Sequence, residues 1–79
     1  MCSYKVTETW ETVTNDGNKT EIIGQHEKLV IENVSFLMAC RIADSRQVSD
    51  GLISVQVIGP FVNGVSKGGI RYQRRWYYE

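Results

Sequence analysis

The sequence predicts an α+β domain: an antiparallel four-stranded sheet with one helix packed across one face, in the order strand, strand, helix, strand, strand. Three observations predict it. Only Ser35 to Val48 carries the apolar spacing of a helix. The segments on either side alternate at a period of two and are punctuated by Asn, Asp and Gly. The whole chain, residues 1–79, is long enough for one core and no more.

Residues Ser3 to Thr14 alternate, with Tyr4, Val6, Trp10 and Thr12 on one side and Lys5, Thr7, Thr9 and Glu11 on the other. Glu8 interrupts the apolar side, which places it near a sheet margin. Asn15-Asp16-Gly17-Asn18 supplies the positive-φ residues of a tight hairpin. A second strand follows from about Thr20 to Ile31. Gly24 marks a candidate bulge in it, because Ile22 and Ile23 cannot share a face. Ser35 is a candidate N-cap for the helix, and Phe36, Ala39, Cys40 and Ala43 fall on one face at i, i+3, i+4 and i+7. Three of the four are small, so the axis can approach a flat partner closely. Ser49-Asp50-Gly51 is the expected stop.

The third strand runs from Leu52 to Ile58, with Ile53, Val55 and Val57 facing the core and Ser54 and Gln56 facing away. Gly59-Pro60 ends or edges it, since proline cannot donate to a ladder. Phe61 to Gly69 reads either as a wide loop or as a short extension of both strands around Asn63-Gly64. The last strand, Ile70 to Tyr78, puts Ile70, Tyr72, Arg74, Trp76 and Tyr78 on the core side. Arg71, Gln73, Arg75 and Tyr77 lie on the other.

Nine basic and nine acidic residues cancel. That excludes a strongly basic nucleic-acid coat protein and a strongly acidic DNA mimic. The charge is nonetheless uneven: acids dominate the first half, and Lys67, Arg71, Arg74 and Arg75 follow one another with no acid before Glu79. Two cysteines and one histidine cannot assemble a four-ligand zinc centre, and Cys2 and Cys40 read as free thiols of a reducing compartment. No apolar run is long enough to cross a bilayer, and no signal-peptide pattern opens the chain. The expectation is a soluble, cytoplasmic protein with no membrane partner, no metal and no cofactor. His26 stands alone between Gln25 and Glu27, and no nucleophile-and-base constellation can be drawn, so the chain does not read as an enzyme.

The segment Gly68 to Glu79 carries what chemistry there is. Arginine interleaved with aromatic rings suits phosphate forks, stacking on bases and anchoring at protein interfaces. The alternative is that Tyr72 and Trp76 are core and the arginines are solvated, partly paired with Glu8 or Glu11. The candidate contact set is Lys67, Arg71, Gln73, Arg74, Arg75 and Tyr77. Asn63 to Gly69 lacks P-loop spacing and reads as a hairpin tip. Leu37 either packs under the loop from Phe61 to Val65 or belongs to an apolar contact patch.

Ser35-Phe36-Leu37-Met38-Ala39-Cys40-Arg41-Ile42-Ala43 after a strand, followed by a strand pair with an aromatic-basic tail, resembles very small phage and mobile-element proteins, compact anti-CRISPR inhibitors among them. That resemblance implies a single-domain, non-catalytic binder, with Arg71, Arg74 and Arg75 where a partner sits. The leading expectation is therefore a small binding protein of phage or bacterial origin that occupies the surface of a protein or ribonucleoprotein partner, for instance as an inhibitor of a host defence complex. Two alternatives stand beside it. One is a single-stranded nucleic-acid-binding module using Arg71, Arg75 and Tyr77, and the other a homodimeric accessory protein that pairs through an exposed strand edge.

Overall fold

A computed structural model describes residues 2–17, 19–47 and 49–76. Strands β1 (Cys2–Asp16) and β2 (Lys19–Val34) form a long hairpin. Helix α1 (Phe36–Ser45) follows, then β3 (Leu52–Val62), β4 (Val65–Ser66) and β5 (Ile70–Arg75). All pairings are antiparallel: β2 lies on β1, β1 on β3, and both β4 and β5 on the far edge of β3. The class is α+β as expected, but the sheet has five strands rather than four. The extra strand exists because β3 runs past Pro60 to Val62 and turns back through Asn63 (φ 52°) and Gly64 (φ 81°). Two positive φ values in succession are what a two-residue hairpin of the right twist requires.

β1 is central, and its register with β2 carries Asp16 opposite Lys19. The first hairpin thus extends well beyond β3, whose pairing with β1 stops at Trp10 opposite Leu52. The molecule is accordingly long and narrow, 51 × 22 × 16 Å.

Helix α1 starts where expected: the Ser35 hydroxyl accepts from the Met38 amide at 3.2 Å. It ends sooner than Ser49-Asp50-Gly51, with Arg46 as its C-cap. Its last carbonyls are taken by a side chain from β5, which closes the helix before the glycine is reached. Ala39 and Ala43 are fully buried against the sheet with Val6, Leu52, Val55 and Val57, and Tyr4, Trp10, Ile31, Ile42, Tyr72 and Trp76 pack around them. Phe36 keeps 44% of its surface exposed but tilts onto Tyr4, ring centroids 5.1 Å apart. Leu37 does not pack under the Phe61–Val65 loop; it is 63% exposed.

Two bulges rearrange the faces. Thr9 pairs with Ser54 but Trp10 with Leu52, so Ile53 is the extra residue and Leu52 turns to the core in its place. Tyr72 pairs with Val57 but Ile70 with Ile58, so Arg71 is extra and Ile70 leaves the core side, 57% exposed. No helix among the described residues is long and apolar enough to cross a membrane.

Candidate functional site

The helix covers one face of the sheet and leaves the other bare. Residues directly opposite one another on neighbouring strands share a face, so the register writes out that bare face row by row. Glu27, Thr9, Ser54 and Arg75 form one row across β2, β1, β3 and β5. Leu29, Thr7, Gln56 and Gln73 form the next. Lys5, Ile58 and Ile70 form a third.

No secondary-structure element among the described residues covers this face, yet Thr7, Ser54 and Gln56 are buried, at 5%, 2% and 3% exposure. Side chains of the flanking strands, Gln25 and Glu27 on β2 and Gln73 and Arg75 on β5, rise around them. Buried polar groups must find partners, and these find one another. Ser54 Oγ donates to Gln56 Oε1 at 2.8 Å. Gln56 Nε2 donates to Thr7 Oγ1 at 3.1 Å and Thr9 Oγ1 at 2.8 Å. Both amide hydrogens of Gln56 are thereby committed, and the threonine hydroxyls keep their own protons to donate. Above this floor is a concavity of about 370 Å³, walled by Gln25 and Glu27 on one side and Ile70, Gln73 and Arg75 on the other.

Of the residues expected to bind, Gln73 and Arg75 stand on this wall. Arg71, at its bulge, is exposed and donates through Nε to the Gly59 carbonyl at 3.2 Å. Lys67 is exposed between β4 and β5, its backbone amide held by the Pro60 carbonyl at 2.8 Å. Tyr77 lies outside the described residues. Arg74 points the other way. Its Nη1 donates to the carbonyls of Ala43, Asp44 and Arg46 at 2.9, 2.8 and 3.1 Å, and its guanidinium lies 5.1 Å from the centre of the Trp76 ring. It caps the helix from the sheet, so the contact surface is narrower than the run of arginines suggested.

Among the described residues, no acid of the first hairpin forms an ion pair with an arginine of β5. Glu8 is on the helix side and 4% exposed, and its carboxylate takes Arg46 Nε at 2.6 Å and Trp10 Nε1 at 3.3 Å. It lies on the central strand β1, not at a margin, because Arg46 reaches over from the end of the helix to meet it. Sequence reasoning passed over Thr9, Ser54 and Gln56 as wet-side residues. The available signal was their lack of charge: uncharged hydroxyls and an amide, alternating on the two middle strands, suit a dry polar surface better than an open one.

On the helix side, Tyr72 donates its hydroxyl to Asp44. That hydrogen bond first, then burial and the Asp44 charge, hold the phenol above its ordinary value near 10, with Arg74 pulling the other way. A raised phenol favours the protonated fold, so its contribution to stability is present below pH 10 and is lost as pH climbs through the raised value. Absorbance titration of Asp44→Asn should show one tyrosine ionising earlier than in the parent, with less loss of stability at alkaline pH. Burial, then Asp44, likewise pushes the Cys40 thiol up, away from thiolate chemistry. Among the described residues no three His, Cys, Asp or Glu side chains gather where they could hold a metal ion. No protein-family model, no curated protein and no solved structure matches the chain.

Proposed function

We propose that this is a non-enzymatic binding protein that acts by occupying the surface of a macromolecular partner, with the bare face of the sheet beside β5 as the contact. The observation that carries the reading is the row Glu27–Thr9–Ser54–Arg75, in which an acid and a base flank a floor of hydroxyls. Glu27 and Arg75 stand three strand spacings apart, about 14 Å. Ile53 and Ile70 add apolar surface to the same concavity. Opposed charges, uncharged hydrogen-bonding groups and exposed aliphatic carbon together match a protein surface, where both signs and apolar patches recur. A phosphate backbone would find one cation in this cleft and an acid facing it, so the nucleic-acid reading is the weaker one. The resemblance to anti-CRISPR inhibitors gives the finer form of the proposal, in which the occupied surface belongs to a host defence assembly in the cytoplasm.

The test is site-directed photo-cross-linking in host lysate, with the photoreactive residue at Gln73 and, as control, at Val13 on the hairpin arm. A defined protein partner should cross-link from Gln73 only. Arg75→Ala in the protein carrying the probe at position 73 should abolish the product and leave the melting temperature within a few degrees, since that side chain is exposed. Equal cross-linking from both positions would defeat the proposal. So would binding of a single-stranded oligonucleotide that collapses between low and physiological salt.

A further inference from the structure

Among the described residues, strand β2 has a neighbour on one side only, and we infer that its outer edge pairs antiparallel with β2 of a second copy of this chain, with the two-fold axis at His26. This inference stands apart from the proposed function. β2 is 16 residues long and forms one margin of the sheet. It contains no proline, and every residue from Lys19 to Leu29 is exposed, including Ile22 at 64%, Ile23 at 63% and Leu29 at 55%. A long edge that carries aliphatic side chains and is left uncovered is a template for another strand.

The side chains decide which strand and in what register. β2 bulges at Ile23, since Thr12 faces Gly24 and Val13 faces Ile22. Measured by its partners on β1, the helix side of β2 shows Glu21, Gly24, His26 and Lys28, and the bare side shows Ile22, Gln25, Glu27 and Leu29. A two-fold axis perpendicular to the sheet keeps like faces together. Centred on His26, it sets Ile22 opposite Leu29, Gln25 opposite Glu27 and Gly24 opposite Lys28, each pair occurring twice. Aliphatic meets aliphatic and an amide meets a carboxylate. The glycine leaves room for the Lys28 stem, whose Nζ lies 4.9 Å from the centre of the Trp10 ring.

Neighbouring registers fail on the same residues. Centred on Glu27 the axis puts carboxylate on carboxylate, and centred on Lys28 it puts ammonium on ammonium. Centred on Gln25 it sets Ile22 against Glu27. Like charges directly opposite are destabilising, and a carboxylate set against an aliphatic side chain gains nothing, so the His26 register is favoured over these three neighbours. The bare faces then join into one surface, with Gln25 and Glu27 of both copies on either side of the axis.

Sedimentation equilibrium over roughly micromolar to millimolar protein tests it. The expected species has twice the 9.0 kDa chain mass. Gln25→Glu, which sets carboxylates opposite Glu27 twice, should weaken the dimer roughly tenfold, and Gln25→Lys should tighten it by a similar factor. In a Cys2→Ser, Cys40→Ala background, His26→Cys should oxidise to a covalent dimer and Lys19→Cys on the same strand should not. Circular dichroism of each variant separates loss of pairing from loss of fold. A monomer throughout the range, or a dimer indifferent to both Gln25 exchanges, or cross-linking from position 19 instead of 26, would overturn the inference.

Discussion

Replacing Arg74 with alanine is expected to lower the melting temperature by about 10–20 °C, far more than the same change at its neighbour Arg75. The helix it caps has only 10 residues, so its end is a large part of its stability. Carbonyls at a helix C-terminus have no partner within the helix and concentrate its negative end. With one charged nitrogen Arg74 donates to those of Asp44 and the capping residue Arg46, and adds a second donor to that of Ala43, which also takes the Arg46 amide at 3.3 Å. Hydrogen bonds to charged groups contribute about 1.5–3 kcal/mol net. Partial exposure of this cluster and the shared donor hold the sum to about 2–3 kcal/mol. Lysine at 74 restores the charge but not the planar fork, so Arg74→Lys should recover only part of the loss. Arg75→Ala, one residue along and on the bare face, should barely move the transition. Equal melting of the two alanine variants would place Arg74 among the binding residues after all.

That contrast shows what the sequence held and what it did not. Alternation on the last strand separated Tyr72, Arg74 and Trp76 from Gln73 and Arg75 correctly, because period two is a local property of an extended chain. It could not say that an arginine on the core side would find three carbonyls, since those belong to a helix some thirty residues earlier. For the same reason the alternation alone assigns Ile53 and Ile70 to the core. A bulge is set by the register with a neighbouring strand, and nothing in Leu52-Ile53-Ser54 alone shows which residue is the extra one. The serine cap was legible because the hydroxyl acts on its own turn. The end of the helix was not, because the residue that ends it comes from β5.

The candidate site followed the same division. Gln73 and Arg75 could be named from the sequence, because an exposed cation and amide beside aromatics are visible as types. The floor beneath them could not. Thr7, Thr9, Ser54 and Gln56 become one hydrogen-bonded network only when β1 and β3 lie side by side. Read singly, each is an ordinary outward-facing polar residue of a strand.

Glu8 is the other residue whose meaning is wholly tertiary, and it supports the second large prediction. Arg46→Ala should lower the melting temperature by about 10–20 °C, while Glu8→Gln should cost only a few degrees. Removing the cation strands a carboxylate that is 4% exposed, with the Trp10 indole as its remaining donor. Breaking a fully buried pair in this way costs about 3–5 kcal/mol. The Arg46 side chain is 40% exposed, so water screens the pair and about 2–3 kcal/mol is expected here. Glutamine at position 8 keeps an acceptor for the indole and removes the charge that needed a partner. The double variant, Glu8→Gln with Arg46→Ala, should therefore be more stable than Arg46→Ala alone, and a double-mutant cycle reads the coupling directly. If the double variant melts no higher than the single one, water already solvates the carboxylate, and the ion pair is not what holds the end of the helix to β1.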